Sequence, residues 1–591
     1  MVDPSTVAIA DVRASELLDR LVLTPRNVSD RYALSRAIKA ALPTLPCRQT
    51  ADGISIPAGE CHHLLVADLV GTDLCWCPEA RQFAENRKRV REVHDRVWRE
   101  LRRILRSGRP VAAECLRDIE GLDVLDDHQW VNVAAMTVPG GYGLCLFDEQ
   151  GAGKTVTFIF AFDVLVARDE VDVALIIAPK SMIAEWPQDF KRFMGDRYSV
   201  AVAAGPRREK RLAMRKRPDV LVTNFETCVS MEQELRSFLR RYGPRAVLVI
   251  DESFYAKNLD AKRTRAVRRL REWCGRAFVL CGTPAPNAPD DLVQQFSIVD
   301  FGLTFERIDI PEDREASRPV VQEAIEKRGL FVRHQKRVVL PDLPAKRFHR
   351  IIVPLQPVQR GLYATALHDY SVELRAADGR SFRKRLASFL ARRSALLQIC
   401  SNPAGLVEGY TEVPAKLRSL DALLDELVCQ RQEKVVVWSF FTASLHAIWS
   451  RYQRFGAVLY DGSVTDVAER REIVRKFQED NSTMLLVANP AAAGAGLTLH
   501  RARFAIYESM SNQAAHYLQS LDRIHRRGQM RDVEYLVLLC DRTLELREHE
   551  RLAAKERTAQ LLLGDSLDPP ITRESMLAEA TDARMLLDKG D

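Results

Sequence analysis

From about residue 121 onward, short and continuous apolar runs alternate with longer amphipathic stretches. The first series is LCLF (144–147), VALIIAP (173–179), DVLVTN (219–224), AVLVID (246–251) and AFVLCG (277–282). A strand covered by helices on both faces needs apolar side chains at nearly every position, so this pattern predicts a parallel sheet. A second series follows: KVVVWS (434–439), AVLYDG (457–462), MLLVAN (484–489), FAIYES (504–509) and VEYLVLL (533–539). Two such sheets in one chain predict an α/β fold with two lobes.

The flanks read differently. Before residue 121 the periodicity is helical, clearest in 84–106, where Val90, Val93, Val97, Leu101 and Ile104 recur at threes and fours. Charged helical segments dominate 305–415, and the tail is polar. The expected organisation is a mainly helical accessory region (1–120), a first lobe (121–304), a helical insertion or linker (305–415), a second lobe (416–565) and a tail (566–591).

Composition narrows the class. The 591 residues exceed what one core organises, and 46% hydrophobic with 28% charged is the balance of a globular protein. No apolar run is long enough to span a bilayer, so no membrane partner is expected. The first twenty residues are mixed and acidic where a secretion signal would be basic and then apolar, which predicts a cytoplasmic protein. The net charge of +7 permits a polyanionic partner without demanding one. Basic clusters at 207–217, 262–271 and 380–393 are either phosphate-neutralising surfaces or solvated helix faces. Of the twelve cysteines, Cys47, Cys61, Cys75 and Cys77 lie near His62 and His63. Core thiols are the default for them and a zinc site the alternative, since Cys75-Trp-Cys77 is one residue tighter than common zinc spacing.

The sharpest local signal is Gly151-Ala152-Gly153-Lys154-Thr155, between the run LCLF and an apolar helical stretch. Glycines let backbone amides approach a phosphate at a helix amino terminus, Lys154 reaches the β- and γ-phosphates of ATP, and the Thr155 hydroxyl ligates Mg²⁺. Asp148 stands where the common consensus has Gly. A nucleotide site of this kind calls for a carboxylate pair at the end of a later strand, and Asp251-Glu252 supplies it: Asp251 for the metal, Glu252 to deprotonate the attacking water. Hydrolysis also calls for positive charge on the γ-phosphate. The segment opening at Gln519 and running through Arg523 and Arg526 places two arginines three apart, on one face if helical.

With these sites in order, the chain resembles the Swi/Snf-type ATPases of helicase superfamily two, over about 121–563. LFDEQGAGKT, IIAPKSMIAEWPQDFKRF (176–193), VLVTNFET (220–227), VLVIDESFYAKN (247–258) and LCGTPAPN (280–287) resemble successive family motifs of a first lobe. VVVWSFFTASL (435–445), YDGSVTDVAERREIVRKF (460–477), AGAGLTLHRARFAIY (493–507) and QSLDRIHRRGQ (519–529) continue the likeness in a second, and 541–565 resembles a bracing helix. The resemblance implies two RecA-like lobes with ATP between them, Gln129 as the adenine reader, Gln519 in the nucleotide-binding set, and movement along double-stranded DNA. Tracking a duplex calls for phosphate contacts independent of sequence. Lys180, Ser181, Thr223, Asn224, Gly282 and Thr283, in loops leaving the carboxyl ends of predicted strands, are the DNA-facing candidates.

The sequence also departs from the family. Ser253-Phe254 replaces the usual Ala-His after the carboxylates, so a polar link between ATP and the DNA-gripping loops is missing or replaced. Pro286 stands where Gln is common, and Asn489-Pro490 replaces a hydroxyl pair. The leading expectation is an ATP-dependent double-stranded DNA translocase, associated with the nucleoid, serving repair, transcription recycling or defence against foreign DNA. Residues 1–120 would act as a partner dock or substrate selector. The alternatives are a nucleotide-gated scaffold that hydrolyses little, and a helicase that separates DNA or RNA strands.

Overall fold

The computed structural model describes residues 8–561 and residue 581, apart from 16–19, 68–73, 257, 259–260, 283, 285–290, 312, 465, 493–496 and 511–513. The chain divides into two compact units, 1–339 and 340–591.

The amino-terminal part of the first unit carries a sheet that the helical periodicity did not announce. Strands β1 (Ala10–Ala14), β2 (Arg20–Pro25), β3 (Arg48–Thr50), β4 (Gly53–Pro57) and β5 (Leu74–Trp76) pair in the order β3-β4-β2-β1-β5. Alternate residues face inward, so Val12, Leu21, Leu23, Ile54 and Ile56 bury against Leu34, Ile38 and Phe83. The expected long helix spans Pro78–Ser107. Cys77 caps it, Pro78 occupies its first turn, where no amide is needed, and Gly108 ends it at φ 67°.

That helix ties the accessory region to the rest of the unit. Asn86 donates to Glu272 Oε2 at 2.9 Å and Arg87 to Glu272 Oε1 at 3.2 Å, all three buried. His94 pairs with the Tyr142 hydroxyl at 2.7 Å, and Arg91 with Glu306.

The central sheet comprises β6 (Gly143–Leu146), β7 (Val173–Ala178), β8 (Val200–Val202), β9 (Val220–Asn224), β10 (Ala246–Asp251), β11 (Arg276–Leu280) and β12 (Phe331–Val332). Its order is β12-β6-β11-β10-β7-β9-β8, and every neighbouring pair is parallel. All seven carboxyl ends therefore open on one edge, where sheets of this kind place ligands.

The second unit repeats the arrangement with β13 (Lys346–Val353), β14 (Val435–Trp438), β15 (Val458–Tyr460), β16 (Leu485–Ala488), β17 (Phe504–Tyr507) and β18 (Val533–Cys540), again all parallel, in the order β13-β18-β17-β14-β16-β15. Alternate residues of these strands feed two cores, one on each face. The stretch read as a helical insertion is divided between the units: β12 completes the first sheet, and β13 forms the edge of the second. Its helices Pro357–Ala376 and Gly379–Ser401 pack together through Tyr363, Leu367 and Phe389. Among the described residues no helix is long and apolar enough to cross a membrane.

Candidate active site

The loop between β6 and the helix Lys154–Ala167 takes its shape from its glycines. Gly151 and Gly153 adopt φ of 85° and 86°, the left-handed region that other residues enter at a cost. A Cβ on Gly153 would stand 2.2 Å from the Gln129 carboxamide nitrogen, so the position is closed to larger residues twice over. Asp148 has a use that the usual glycine could not provide. It is wholly buried, and its carboxylate accepts from Asn132 Nδ2 at 2.6 Å, from the His334 amide at 2.8 Å and from His334 Nδ1 at 2.9 Å. The loop is thereby pinned to the helix Asp127–Met136 and to the chain after β12. Glu149 adds a second anchor by accepting from the Lys336 amide at 2.8 Å.

Within this frame, Lys154 starts the helix and its ammonium donates to the carbonyls of Asp148 at 2.9 Å and Glu149 at 3.4 Å. Thr155 is partly exposed on the first turn, and Ala152 is buried, its carbonyl accepting from His128 at 2.9 Å. Gln129 does not project into open space. It closes a capping box by accepting from the Asp126 amide at 2.9 Å, and its Nε2 lies 3.5 Å from the Ala152 carbonyl. Its contact is with the glycine loop after β6.

Two strands away, β10 ends in the carboxylate pair. Asp251 accepts from Trp186 Nε1 at 3.1 Å and from the Glu252 amide at 3.0 Å. Burial, and then the neighbouring Glu252 charge, push its carboxyl up to about 7, while Lys154 pulls the other way. Glu252 holds φ at 50°, an unusual conformation for a non-glycine residue. Its Oε1 accepts from Gln150 Nε2 at 2.7 Å, and its buried Oε2 has no hydrogen-bond partner among the described residues.

Gln150 thus bridges the loop after β6 to the residue after β10. Between them in the sheet lies β11, whose exit places Gly282 against Gln150: a Cβ there would stand 2.7 Å from Gln150 Cγ. Gln150, Trp186 and Asp148 belong to this site, yet no motif reading singled them out as its members. The only signal for Gln150 was its place inside the glycine-rich string.

The nucleic-acid candidates separate. Lys180 is exposed and Ser181 partly so, at the exit of β7. Thr223 is a correction: it is 0% exposed and its hydroxyl donates to the Ala203 carbonyl at 3.0 Å, which ties β9 to the chain after β8 and leaves nothing to present. Asn224 is likewise buried, its side chain capping the helix Phe225–Ser230 by accepting from the Thr227 amide at 2.8 Å. Thr283 and Pro286 lie outside the described residues.

Most described arginines of the basic clusters engage the protein's own groups. Arg271 is buried and donates to the carbonyls of Ile298, Val299, Tyr142 and Cys274. Arg207 and Arg211 pair with Glu234, Arg385 and Arg392 with Glu373, and Arg393 with Glu548. Cys61 packs in the amino-terminal core, Cys77 caps the long helix, and Cys47 and Cys75 are exposed. Among the described residues the single metal-capable cluster is Cys400, Cys540 and Glu545, where Glu545 is paired with buried Lys416.

In the second unit, the helix containing Gln519 ends at Leu521, so Arg523 and Arg526 do not share a helical face as their spacing suggested. Beyond the helix, the Leu521 carbonyl accepts from the Tyr535 hydroxyl at 2.5 Å and the Ile524 carbonyl from Gln529 Nε2 at 3.2 Å. The turn still brings the two arginines together. Both donate to the Leu497 carbonyl, Arg526 at 2.9 Å and Arg523 at 3.5 Å. Gln519 is buried within its helix, and residues 493–496 of the neighbouring glycine-alanine string lie outside the described residues.

Residues 126–405 match the family described as the SNF2-related domain, and residues 416–528 match the helicase conserved C-terminal domain. The chain is 29% identical over 439 residues to YwqA of Bacillus subtilis, named provisionally as an ATP-dependent helicase/translocase; the match covers 70% of this chain and 46% of that protein. It is 24% identical over 545 residues to the DNA repair and recombination protein RAD54-like of Danio rerio, covering 81% and 71%. A solved Sulfolobus solfataricus SWI2/SNF2 ATPase core in complex with dsDNA is 23% identical, with a TM-score of 0.35, covering 77% of this chain and 96% of that one. The chain spans less than half the length of its first three bacterial relatives, 46%, 42% and 40%.

Proposed function

Because the chain belongs to the SNF2-related helicase-class ATPases, we propose that it hydrolyses ATP to move along double-stranded DNA, gripping phosphates without reading sequence. The observation that carries this reading is the convergence of a helix-start phosphate loop, a lysine and a buried Asp-Glu pair at one edge of a parallel sheet. Relatives named as a helicase/translocase and as a DNA repair and recombination protein support it.

In this reading the amides around Gly151, Ala152 and Gly153 and the Lys154 ammonium hold the ATP phosphates, with Gln129 and Gln519 in the nucleotide-binding set. The donor set fits Mg²⁺. Asp251 is a carboxylate whose ionised form is penalised by burial and by Glu252, and a cation would relieve that penalty. Thr155 and Asp251 would hold the ion, which supplies charge neutralisation for phosphate chemistry. In this reading Glu252 takes the proton: Gln150 fixes one oxygen, and the other, with no hydrogen-bond partner among the described residues, is left to accept from water. Arg523 and Arg526 carry the proposed role of compensating γ-phosphate charge. Lys180, Ser181, Gly282 and Thr283 keep the proposed role of DNA contacts.

The test is ATP turnover with duplex DNA, single-stranded DNA, RNA and no polymer. Duplex DNA should raise the rate most, and a rate indifferent to duplex DNA would overturn the reading. Glu252→Gln should abolish turnover and translocation together; a nucleotide-gated scaffold would keep its activity in that variant.

A further inference from the structure

The helix Pro78–Ser107 precedes the residues that match the SNF2-related domain, and it ends in the run RVWRELRRILR (96–106), with five arginines and one acidic residue, Glu100. Val97, Leu101 and Ile104 bury its inner face, which leaves Arg96, Arg99, Arg103 and Arg106 exposed and Arg102 partly so. At spacings of three and four these arginines form one row, about 15 Å long at about 1.5 Å per residue. Like charges so spaced oppose helix formation, so the row persists against a cost.

Its charge is not cancelled from within. Arg96 donates to the Pro139 carbonyl at 2.8 Å, Arg99 to the Asp95 carbonyl at 3.1 Å and Arg102 to the Glu326 carbonyl at 2.8 Å. Carbonyls orient these guanidiniums and leave them cationic. Among the described residues only Arg103 of the five has ion-pair partners, Glu100 at 2.7 Å and Glu114 at 3.6 Å. Arg207, Arg211, Arg385 and Arg392, in the other basic clusters, are by contrast paired with Glu234 or Glu373.

The row is also remote from the glycine loop and the carboxylate pair. Its helix packs where the central strands begin: His94 meets Tyr142 just before β6, and Arg89 donates to the Gly275 carbonyl at 3.2 Å just before β11. The candidate ATP site lies at the opposite, carboxyl ends of the same strands.

Two features select the occupant. Among the described residues no large apolar side chain is exposed between 78 and 117, whereas a protein interface needs an apolar centre. Trp98, the aromatic residue of the run, is partly buried and covered by Arg102, 5.1 Å from its ring centroid, so it presents no open face to an unstacked base. What is left is a straight row of guanidiniums, whose planar forks suit phosphate. We infer that Arg96, Arg99, Arg102 and Arg106 form a second nucleic-acid surface, which takes the phosphate backbone of duplex DNA at the end of the sheet away from the ATP site. The choice of DNA rests on the functional reading above; the phosphate-binding row does not.

The test uses full-length protein without nucleotide and a fluorescein-labelled duplex of about 30 base pairs, its binding followed by anisotropy from about 50 to about 200 mM salt. Arg96→Gln, Arg99→Gln and Arg106→Gln are combined. Loss of three phosphate contacts should flatten the slope of log affinity against log salt by about 2.7 and weaken binding at least about tenfold. The melting temperature should match wild type, because all three side chains are exposed. In turnover assays the duplex concentration for half-maximal stimulation should rise about tenfold, while basal and maximal rates stay within about twofold. The corresponding lysine triple keeps the charge and should keep the wild-type slope. Unchanged affinity and slope in the glutamine triple would overturn the surface. So would a lysine triple that fails as badly, since the guanidinium bonds to backbone carbonyls would then be what matters. Polyglutamate that displaces the duplex as well as unlabelled duplex does would mark a surface for acidic proteins and overturn the nucleic-acid assignment. A wild type that binds duplex through the row yet is not stimulated by it would overturn the functional reading and leave the surface standing.

Discussion

Gln150 reaches Glu252 at 2.7 Å because Gly282 has no side chain: a Cβ at 282 would stand 2.7 Å from Gln150 Cγ and 2.8 Å from its Cδ. That distance is below anything real side chains tolerate, so Gly282→Ala must push Gln150 aside and release Glu252 Oε1. Turnover should fall about tenfold, equivalent to about 1.4 kcal/mol in the barrier, while ATP affinity changes little. Gln150→Ala should cost a similar amount, and the double variant should be no worse than Gln150→Ala, because the clash disappears with the side chain. Additive losses in this cycle would refute the bridge.

Asp251 gives the site a pH dependence whose sign follows from its surroundings. Burial and Glu252 push the folded carboxyl up to about 7, against an ordinary value of 3.8. The folded state thus holds this proton more tightly than the unfolded chain. Its stabilising effect is fully present below about pH 4 and is lost as pH rises through about 7. Replacement by Asn removes the ionised form, so Asp251→Asn should melt higher than wild type at pH 8, with the advantage shrinking toward pH 4. Thermal melts of both proteins across that range check it. A difference independent of pH would mean that Asp251 is not titrating as its burial requires.

Most of the strands that the apolar runs foretold are covered on both faces. β10 reads AVLVID with all six residues buried, and β16 reads LLVA with all four buried. Two of the strands that escaped lack that cover. β13, KRFHRIIV, is an edge strand with four consecutive exposed residues, and β1, ADVRA, buries alternate residues through Ala10 and Val12 only. Lys154, Asp251 and Glu252 could be singled out as candidates because phosphate and metal chemistry fix both residue type and position after a strand, and the structure places them at one edge of the sheet. Gln150, Trp186 and Asp148 were not, because their roles depend on which loops the sheet order brings together. Thr223 and Asn224 misled for a related reason, since a strand exit supplies buried caps as readily as it supplies ligands.

The accessory region's attachment can be weakened at one residue. Glu272 accepts from Asn86 and Arg87, and all three are buried. Removing one partner of a buried ion pair leaves an uncompensated charge, which typically costs about 3–5 kcal/mol. Glu272→Ala should therefore lower the melting temperature markedly, and Arg87→Met with Glu272→Leu together should recover much of it, since the desolvation penalty leaves with both charges. ATP turnover at temperatures where the variants stay folded should be near wild type. A Glu272→Ala variant as stable as wild type would show that the buried Glu272 contacts contribute nothing to holding the long helix.

Arg523 and Arg526 meet at the Leu497 carbonyl but differ in burial, and that difference separates their expected phenotypes. Arg523 is 4% exposed, so its guanidinium is part of the second unit's interior, whereas Arg526 is only partly buried. Charge aimed at a transferring phosphoryl group is worth roughly 10³–10⁵ in rate. Arg526→Ala should therefore lower ATP turnover by at least about a hundredfold while leaving the melting temperature and ATP affinity close to wild type. Arg523→Ala should lose turnover and also melt lower, because it empties a buried site and strips a donor from Leu497. Rate and melting curve measured on the same preparations distinguish the two. If Arg526→Ala retains turnover while Arg523→Lys, which keeps the charge, loses it without unfolding, the catalytic assignment moves to Arg523. If both alanine variants turn over ATP normally, the second unit supplies no charge to the reaction.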